Sequence, residues 1–238
     1  MFDEQFATFK AFGASHIAAL AVSLALIVLF FAFAGKLRRI DAFYEKLTAS
    51  VMLLTEMVFL VWQFKLFGPS PEHLPLNLCT ISLYVNVFAL LTGKREVIKY
   101  TAFFSVIGAL IAIIVPMQGY DFPHFRYLHY YINHLLIVLT SLYMLKDLPK
   151  ITYKQLLISE LSLTAFVIGV VHTVNQLCGT GFMFFEVKAD YLSTLFAPRN
   201  LLMILAAAAV HHAFYLIYTL IYNKKRKRGP GNGKNHQA

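Results

Sequence analysis

The stretch SHIAALAVSLALIVLFFAFA (15–34) decides the fold class, because it runs for 20 residues without a charged side chain. A bilayer core about 30 Å thick needs roughly 20 apolar residues in a helix that rises 1.5 Å per residue. Six more apolar blocks follow, at 49–67, 76–92, 100–117, 127–145, 155–177 and 201–222. The sequence therefore predicts an all-α, polytopic membrane protein, a seven-transmembrane-helix bundle that occupies residues 1–222.

The composition excludes an ordinary soluble domain. Hydrophobic residues make up 58% of the 238 and charged residues only 14%, whereas soluble domains are about one quarter charged. The long apolar blocks also lack the alternation of polar and apolar residues that is typical of membrane β-barrels. The net charge of +9 is therefore better interpreted from its position along the chain than as a nucleic-acid signal.

The positive charges predict the orientation, since Lys and Arg accumulate in cytoplasmic loops. Sixteen of the 21 Lys and Arg residues fall in the first, third and fifth loops and in the C-terminal tail. This places the N-terminus outside and the C-terminus in the cytoplasm of a multi-pass protein of the cell membrane. The tail, 223–238, is basic and Gly-rich, so we expect it to be disordered and to bind anionic lipid heads rather than nucleic acid.

Polar residues concentrate at the predicted outer ends of several helices. Polar side chains inside a span mark function or helix association, and three predicted helices each present a polar face at helical spacing. These faces predict a water-accessible cavity in the outer leaflet. Its candidate residues are Asn77, Cys79, Ser82 and Asn86 on the third segment, Arg126, His129, Asn133 and His134 on the fifth, and His172, Asn175 and Gln176 on the sixth.

Cys79 is the candidate nucleophile of such a cavity. A thiol becomes a strong nucleophile when a neighbouring base or cation activates it, and His134 or His129 could serve. Asn77 and the free amides at the start of the helix could hold an oxyanion. The alternative is a disulfide between Cys79 and Cys178, since both are predicted near the oxidising face.

Other functions remain open at this stage. We expect no metal and no cofactor: His211 and His212 are adjacent, so their rings diverge on a helix. A small-molecule transporter or ligand-binding membrane protein would use the same outward-facing cavity, with a helix break at Pro116 or at 179–181. In a third interpretation the polar residues only hold the helices of a structural subunit together.

Four strings resemble the YwaF-like family of bacterial multi-pass integral membrane proteins. They are LPLNLCTISLYVNVFAL from Leu74, FRYLHYYINHLLIVLTSLY through His134, GTGFMFF from Gly179 and FKAFGASHIAAL with His16. The resemblance covers nearly the whole chain in order and spacing, and it departs from the family pattern at Asn77 and at Gly181–Phe182. That family looks related to a eukaryotic transmembrane phospholipid acyltransferase that uses a Cys and a His.

The resemblance implies a role for two residues. Cys79 corresponds to the family's cysteine and His134 to its histidine, so Cys79 would carry an acyl chain as a thioester while His134 moves the proton. The preferred function is then thiol-dependent acyl transfer or hydrolysis on outer-leaflet phospholipids or lysolipids. Candidates for orienting groups or head-group contacts are Asn77, Arg126, His129, His172 and Asn175. Arg126 suits a phosphate, with interfacial anchoring as an equal alternative.

Overall fold

The computed structural model describes residues 8–37, 41–146, 148–185, 190, 192, 194 and 196–228. Seven helices of the described chain correspond to the seven apolar blocks. We number them in chain order: α1 (Ala14–Leu37), α2 (Asp41–Phe67), α3 (Leu78–Thr92), α4 (Ile98–Ile114), α5 (Phe125–Leu145), α6 (Tyr153–Cys178) and α7 (Pro198–Arg228).

Six of these helices are long and apolar enough to cross a membrane. The exception is α3, whose 15 residues rise about 22 Å, less than the roughly 30 Å hydrocarbon core. The helix ends at Gly93, which adopts the left-handed conformation with φ of 69° that glycine accepts without strain. The protein is thus an integral multi-pass membrane protein, and its all-helical class is confirmed.

Two helix boundaries differ from the sequence prediction, in both cases where a helix carries charges beyond its apolar block. Helix α2 begins at Asp41, eight residues before the predicted start at 49. Its charged first turns have partners on other elements: the Tyr143 hydroxyl donates to Asp41, and Arg95 pairs with Glu45. Helix α7 continues through Arg228, so the boundary predicted at 222 lies inside it. The rest of the predicted tail, 229–238, lies outside the described residues.

Helices α4 and α5 form the centre of the bundle. Small residues let the helix backbones approach one another. Ala49 of α2, Ala89 of α3, and Ala102 and Ala109 of α4 have no exposed surface. Polar side chains also join helices there. The Asn86 side chain of α3 donates to the Ile137 carbonyl at 3.2 Å and to the Ser141 hydroxyl at 3.0 Å, both on α5.

Helix α6 contains an irregularity. Residues Val167–Val171 form a π-helical turn, which inserts one extra residue into an otherwise α-helical rod. The helix then resumes from His172 and ends at Gly179, whose φ is 66°. The π turn rotates the last two turns of α6 relative to the turns before it.

Candidate functional site

A cavity of about 690 Å³ opens between six helices of the described bundle. It is lined by parts of α2 to α7, by the loop before α3 and by Met183, Phe184 and Phe185. Six of the candidate cavity residues named from the sequence line it: Asn77, Cys79, Arg126, His129, Asn133 and His134. The predicted grouping of these residues around one cavity is therefore what the structure shows.

Cys79 is the second residue of α3, at the end that faces the cavity. The first hydrogen bond at this helix end runs from the Ile81 N–H to the Asn77 carbonyl at 3.0 Å. Helix N-termini leave their first amides without intrahelical partners, and the helix dipole favours negative charge there. The half-buried thiol therefore lies beside groups that can stabilise an anion.

A close contact with α4 fixes the depth of Cys79. A Cβ added at Gly108 would lie 3.2 Å from Cδ2 of Leu78, so α3 begins against the backbone of α4. Gly108 is six residues before the end of α4 at Ile114, or about 9 Å along its axis. The non-helical loop that precedes α3 thus enters the bundle, which membrane proteins tolerate where such a segment lines a cavity.

His134 lines the cavity, and its hydrogen bonding defines its tautomer. Its Nδ1 lies 2.6 Å from the carbonyl oxygen of Tyr130, and a carbonyl can only accept, so Nδ1 carries the proton. In the neutral ring Nε2 then has the free lone pair. The Tyr130 ring packs against the imidazole, with 4.2 Å between the ring centroids. The tautomer with the proton on Nδ1 is the one that a general base requires, because its Nε2 can accept a proton.

Cys79 and His134 share the cavity but are not hydrogen-bonded to each other in the described structure. Catalytic hydrogen bonds often tighten only when substrate binds. Both cysteines are free thiols, so the structure does not contain the alternative Cys79–Cys178 disulfide. Cys178 is exposed, whereas Cys79 lines the cavity.

We call the cluster of Glu56, Arg126, His129 and Asn133 the Arg126 end of the cavity. Arg126 Nη1 lies 2.9 Å from His129 Nδ1. Since guanidinium only donates, Nδ1 accepts, and the Asn133 amide nitrogen lies 2.8 Å from the other ring nitrogen, Nε2. That nitrogen lies 3.3 Å from Oε2 of Glu56, and the Asn133 amide donates to the same oxygen at 3.3 Å.

The Arg126 guanidinium is enclosed rather than directed to lipid. It lies 4.5 Å from the ring centroid of Phe59 and 5.3 Å from that of Tyr130, within the range of cation–π attraction. The side chains of His129 and Glu56 are only 6% and 9% exposed. Of the two roles expected for Arg126, the geometry favours a cavity contact over interfacial anchoring.

We call the cluster of Tyr153, Glu160, His211 and His212 the Glu160 end. His212 Nδ1 lies 3.2 Å from Oε1 of Glu160, but it also lies 2.9 Å from the Ala208 carbonyl, which takes its proton. Tyr153 then donates to Nε2 of His212 at 3.1 Å. Oε1 of Glu160 is buried and accepts no hydrogen bond from any described residue. Glu160 and His211 line the cavity.

Two of the predicted head-group residues lie outside the set that lines this cavity. Asn175 is buried, and its amide is occupied by the chain that follows α6: it accepts from the Thr180 hydroxyl and the Phe182 N–H, both at 2.9 Å, and donates to the Phe182 carbonyl at 3.1 Å. His172 is fully buried. The structure thus gives Asn175 a structural role. Asn77 does line the cavity, and it accepts from the Met183 N–H at 3.3 Å.

Sequence reasoning missed the partners of the site. Glu56 and Glu160 both line the cavity, but neither is among the candidate residues named from the sequence. Phe59 and Leu60 follow Glu56 at helical spacing and line the same cavity, so a face of α2 could have been found. Which face it meets on α5 depends on the register between helices, which the sequence does not carry. No three His, Cys, Asp or Glu side chains in the described ranges are grouped to hold a metal ion.

Fold and site together define an integral multi-pass membrane protein whose helices enclose a cavity with polar ends. A family model matches residues 11–220, nearly the whole helical bundle, and the chain belongs to the TMEM164 family, a family of transmembrane proteins. No curated protein and no solved structure matches it significantly. The resemblance to YwaF-like bacterial proteins remains a prediction.

Proposed function

We propose that the protein is a thiol-dependent lipid acyltransferase or acyl hydrolase. One observation carries the proposal: a thiol at a helix N-terminus and an imidazole with a free Nε2 line the same cavity in a membrane-spanning bundle. Nucleophilic catalysis by cysteine requires this pair of groups.

In the first step the Cys79 thiol passes its proton to Nε2 of His134. The sulfur attacks the carbonyl carbon of a phospholipid ester, and the negative charge that develops on the carbonyl oxygen is stabilised by the amides at the start of α3. The carbon–oxygen bond of the ester then breaks. The lysolipid leaves with the proton from His134, and the acyl chain stays on Cys79 as a thioester.

In the second step a lysolipid hydroxyl or a water molecule gives its proton to His134 and attacks the thioester. Sulfur leaves and regains the proton, so the thiol and the neutral imidazole are restored. A lysolipid acceptor gives acyl transfer, and water gives hydrolysis. No oxidant, metal or cofactor is needed for either outcome.

Arg126 is the proposed contact for the lipid phosphate. One of its N–H groups is engaged by His129, and a guanidinium has five donors in a fork that matches phosphate oxygens. Helix α5 carries both Arg126 and His134, eight residues apart and therefore about 12 Å apart along the axis. This spacing puts a head group near Arg126 and an ester carbonyl nearer to His134.

The proposal includes the finer topology. All seven helices span the cell membrane, α3 together with the loop that precedes it, and the N-terminus lies outside. The cavity then serves the outer leaflet, while the basic tail meets anionic lipid heads in the cytoplasm. This orientation is supported by the concentration of Lys and Arg in alternate loops.

The test is lipid turnover by purified protein in nanodiscs that contain a phospholipid with a labelled acyl chain. We expect Cys79→Ala and His134→Ala to lower turnover by at least about 10²-fold. Wild type should also accumulate a hydroxylamine-sensitive acyl thioester that Cys79→Ala lacks. The matched control is Cys178→Ala, which removes the exposed thiol and should leave turnover intact. Turnover that survives in Cys79→Ala, or its absence in wild type, would overturn the proposal.

A second candidate function is proton-coupled transport of a small molecule through the same cavity. The observation that favours it is the chain of titratable groups at the Glu160 end, from the exposed Tyr153 through His212 to Glu160. Such chains mark proton paths in membrane proteins. Acidification of proteoliposomes that depends on Glu160 but not on Cys79 would select transport over acyl transfer.

A further inference from the structure

The cavity extends past Cys79 to the Glu160 end, and the walls of this extension are mainly apolar. Leu163 and Val167 contribute from α6, at a spacing of four residues, and Met203, Ile204 and Ala207 contribute from α7. These side chains share a helix face in each case. Apart from Thr164, the side chains that α6 and α7 contribute to the cavity before Glu160 and His211 are therefore apolar.

The length of this inner part can be read along α4. Its upper limit is Gly108, which abuts Leu78 beside the thiol. Its lower limit is Tyr100, whose carbonyl accepts from the hydroxyl of Ser159, the neighbour of Glu160. Eight residues separate these two contacts, which corresponds to about 12 Å.

Polar groups close the lower end. The side chains of Glu160 and His211 are 16% and 9% exposed, and the buried Oε1 of Glu160 accepts no hydrogen bond within the described structure. Hydrocarbon pushed against this carboxyl would strip it of any remaining solvation without replacing it. The polar groups thus form a floor for an apolar occupant.

We infer that this inner part of the cavity binds the hydrocarbon chain of the acyl group carried by Cys79, and that the floor at Glu160 and His211 limits the chain length accepted. The occupant is an acyl chain rather than a bulk lipid tail, because the space is continuous with the thiol to which the proposed reaction attaches the chain. The inference rests on the proposed function.

The test uses N-alkylmaleimides, which alkylate thiols without any catalytic turnover. The chain has only two cysteines, so Cys178→Ser leaves Cys79 as the single reactive thiol, and Cys79→Ser leaves the exposed Cys178. Rates are measured with ethyl, octyl and hexadecyl probes in the same detergent. Dividing each Cys79 rate by the corresponding Cys178 rate removes the effect of probe partition into micelles.

We expect the octyl probe to label Cys79 faster than the ethyl probe after this correction. Ala208→Phe, which places a ring on the cavity wall one turn from His212, should reduce the octyl advantage by about tenfold, the factor given by roughly two methylenes that leave an apolar wall. The matched control is Ala209→Phe on the same helix, since Ala209 is exposed and does not line the cavity. It should leave the ratio unchanged.

A second variant tests the floor. Glu160→Leu removes the carboxyl, so the ratio of the hexadecyl labelling rate to the octyl labelling rate should be higher than in the parent protein. Unchanged ethyl labelling in each variant reports an intact entrance to the cavity. Equal ratios for Ala208→Phe and Ala209→Phe, or no dependence on chain length in the parent, would overturn the inference. The expected labelling without lipid turnover would support chain binding while the proposed function fails.

Discussion

The two ends of the cavity differ in how their charges are compensated. At the Arg126 end, guanidinium and carboxylate lie on opposite sides of a neutral His129, and each polar neighbour has a partner. At the Glu160 end, the carboxylate oxygen Oε1 has two imidazoles nearby but accepts no hydrogen bond from the described residues. Both ends line one continuous space.

This difference separates a cluster whose loss should destabilise the fold from one whose loss should not. A buried charge with its partners in place is costly to break, since removal of one partner leaves the other uncompensated. Oε1 of Glu160 accepts no hydrogen bond from the described residues, so replacement of this carboxyl should cost little. Stability should therefore depend on the Arg126 end and be nearly indifferent to the Glu160 end.

The largest effect is expected from Glu56→Leu. It leaves the Arg126 guanidinium without its counter-charge, and we expect a loss of about 3 kcal/mol in unfolding free energy, the lower end for breaking a buried pair. The matched change, Glu160→Leu, should be neutral or slightly stabilising. Thermal unfolding in detergent measures both. Equal losses of stability in the two leucine variants would show that the two ends of the cavity contribute equally to folding and would contradict the comparison.

A smaller effect is expected from a pair of histidines on α5. His129→Gln breaks the link between Arg126 and Glu56 and should cost about 1–2 kcal/mol. His134→Gln removes a bond to the Tyr130 carbonyl within the same helix and a contact with the Tyr130 ring, so its cost should stay below about 1 kcal/mol. Denaturant midpoints in one detergent would compare the two. A costlier His134→Gln would mean that His134 is a structural residue.

The smallest effect is expected from two threonines that face opposite ends. The Thr55 hydroxyl lies 2.6 Å from Oδ1 of Asn133, to which it can donate, so Thr55→Val should cost about 1 kcal/mol. Thr164→Val is the same change on the cavity wall near Glu160, and it should be neutral. The unfolding temperature reports both. A loss at Thr164 that matches the loss at Thr55 contradicts the comparison.

Much of the architecture follows from local sequence patterns. Apolar runs predict the helices because backbone groups in hydrocarbon must be satisfied within the segment. The spacing of Arg126, His129 and Asn133 predicts a shared face, and their contacts with one another and with Glu56 confirm it. The long charged start of α2 was missed because its side chains pair with other elements, which an apolar window cannot detect.

Only some of the residues that form the site could be predicted from the sequence. Spacing along α6 predicts that His172 and Asn175 share a face, but not what that face meets. The amide of Asn175 is taken up by Thr180 and Phe182, contacts that depend on how the chain turns after Gly179. Glu56 joins His129 through the register between α2 and α5, which is set by packing over the whole bundle rather than by any local motif.

The π turn at Val167–Val171 sets the direction in which the last two turns of α6 point. One surplus residue corresponds to a rotation of about 100° in a helix of 3.6 residues per turn. The bond from the His172 N–H to the Val167 carbonyl takes up this surplus residue within one turn. Regular α-helical winding with all residues kept would swing Asn175 by that angle, away from the backbone it now holds, whereas deletion of Gly169 would leave its direction nearly unchanged. The irregular turn, rather than the number of residues in α6, thus aims Asn175 at the chain that follows.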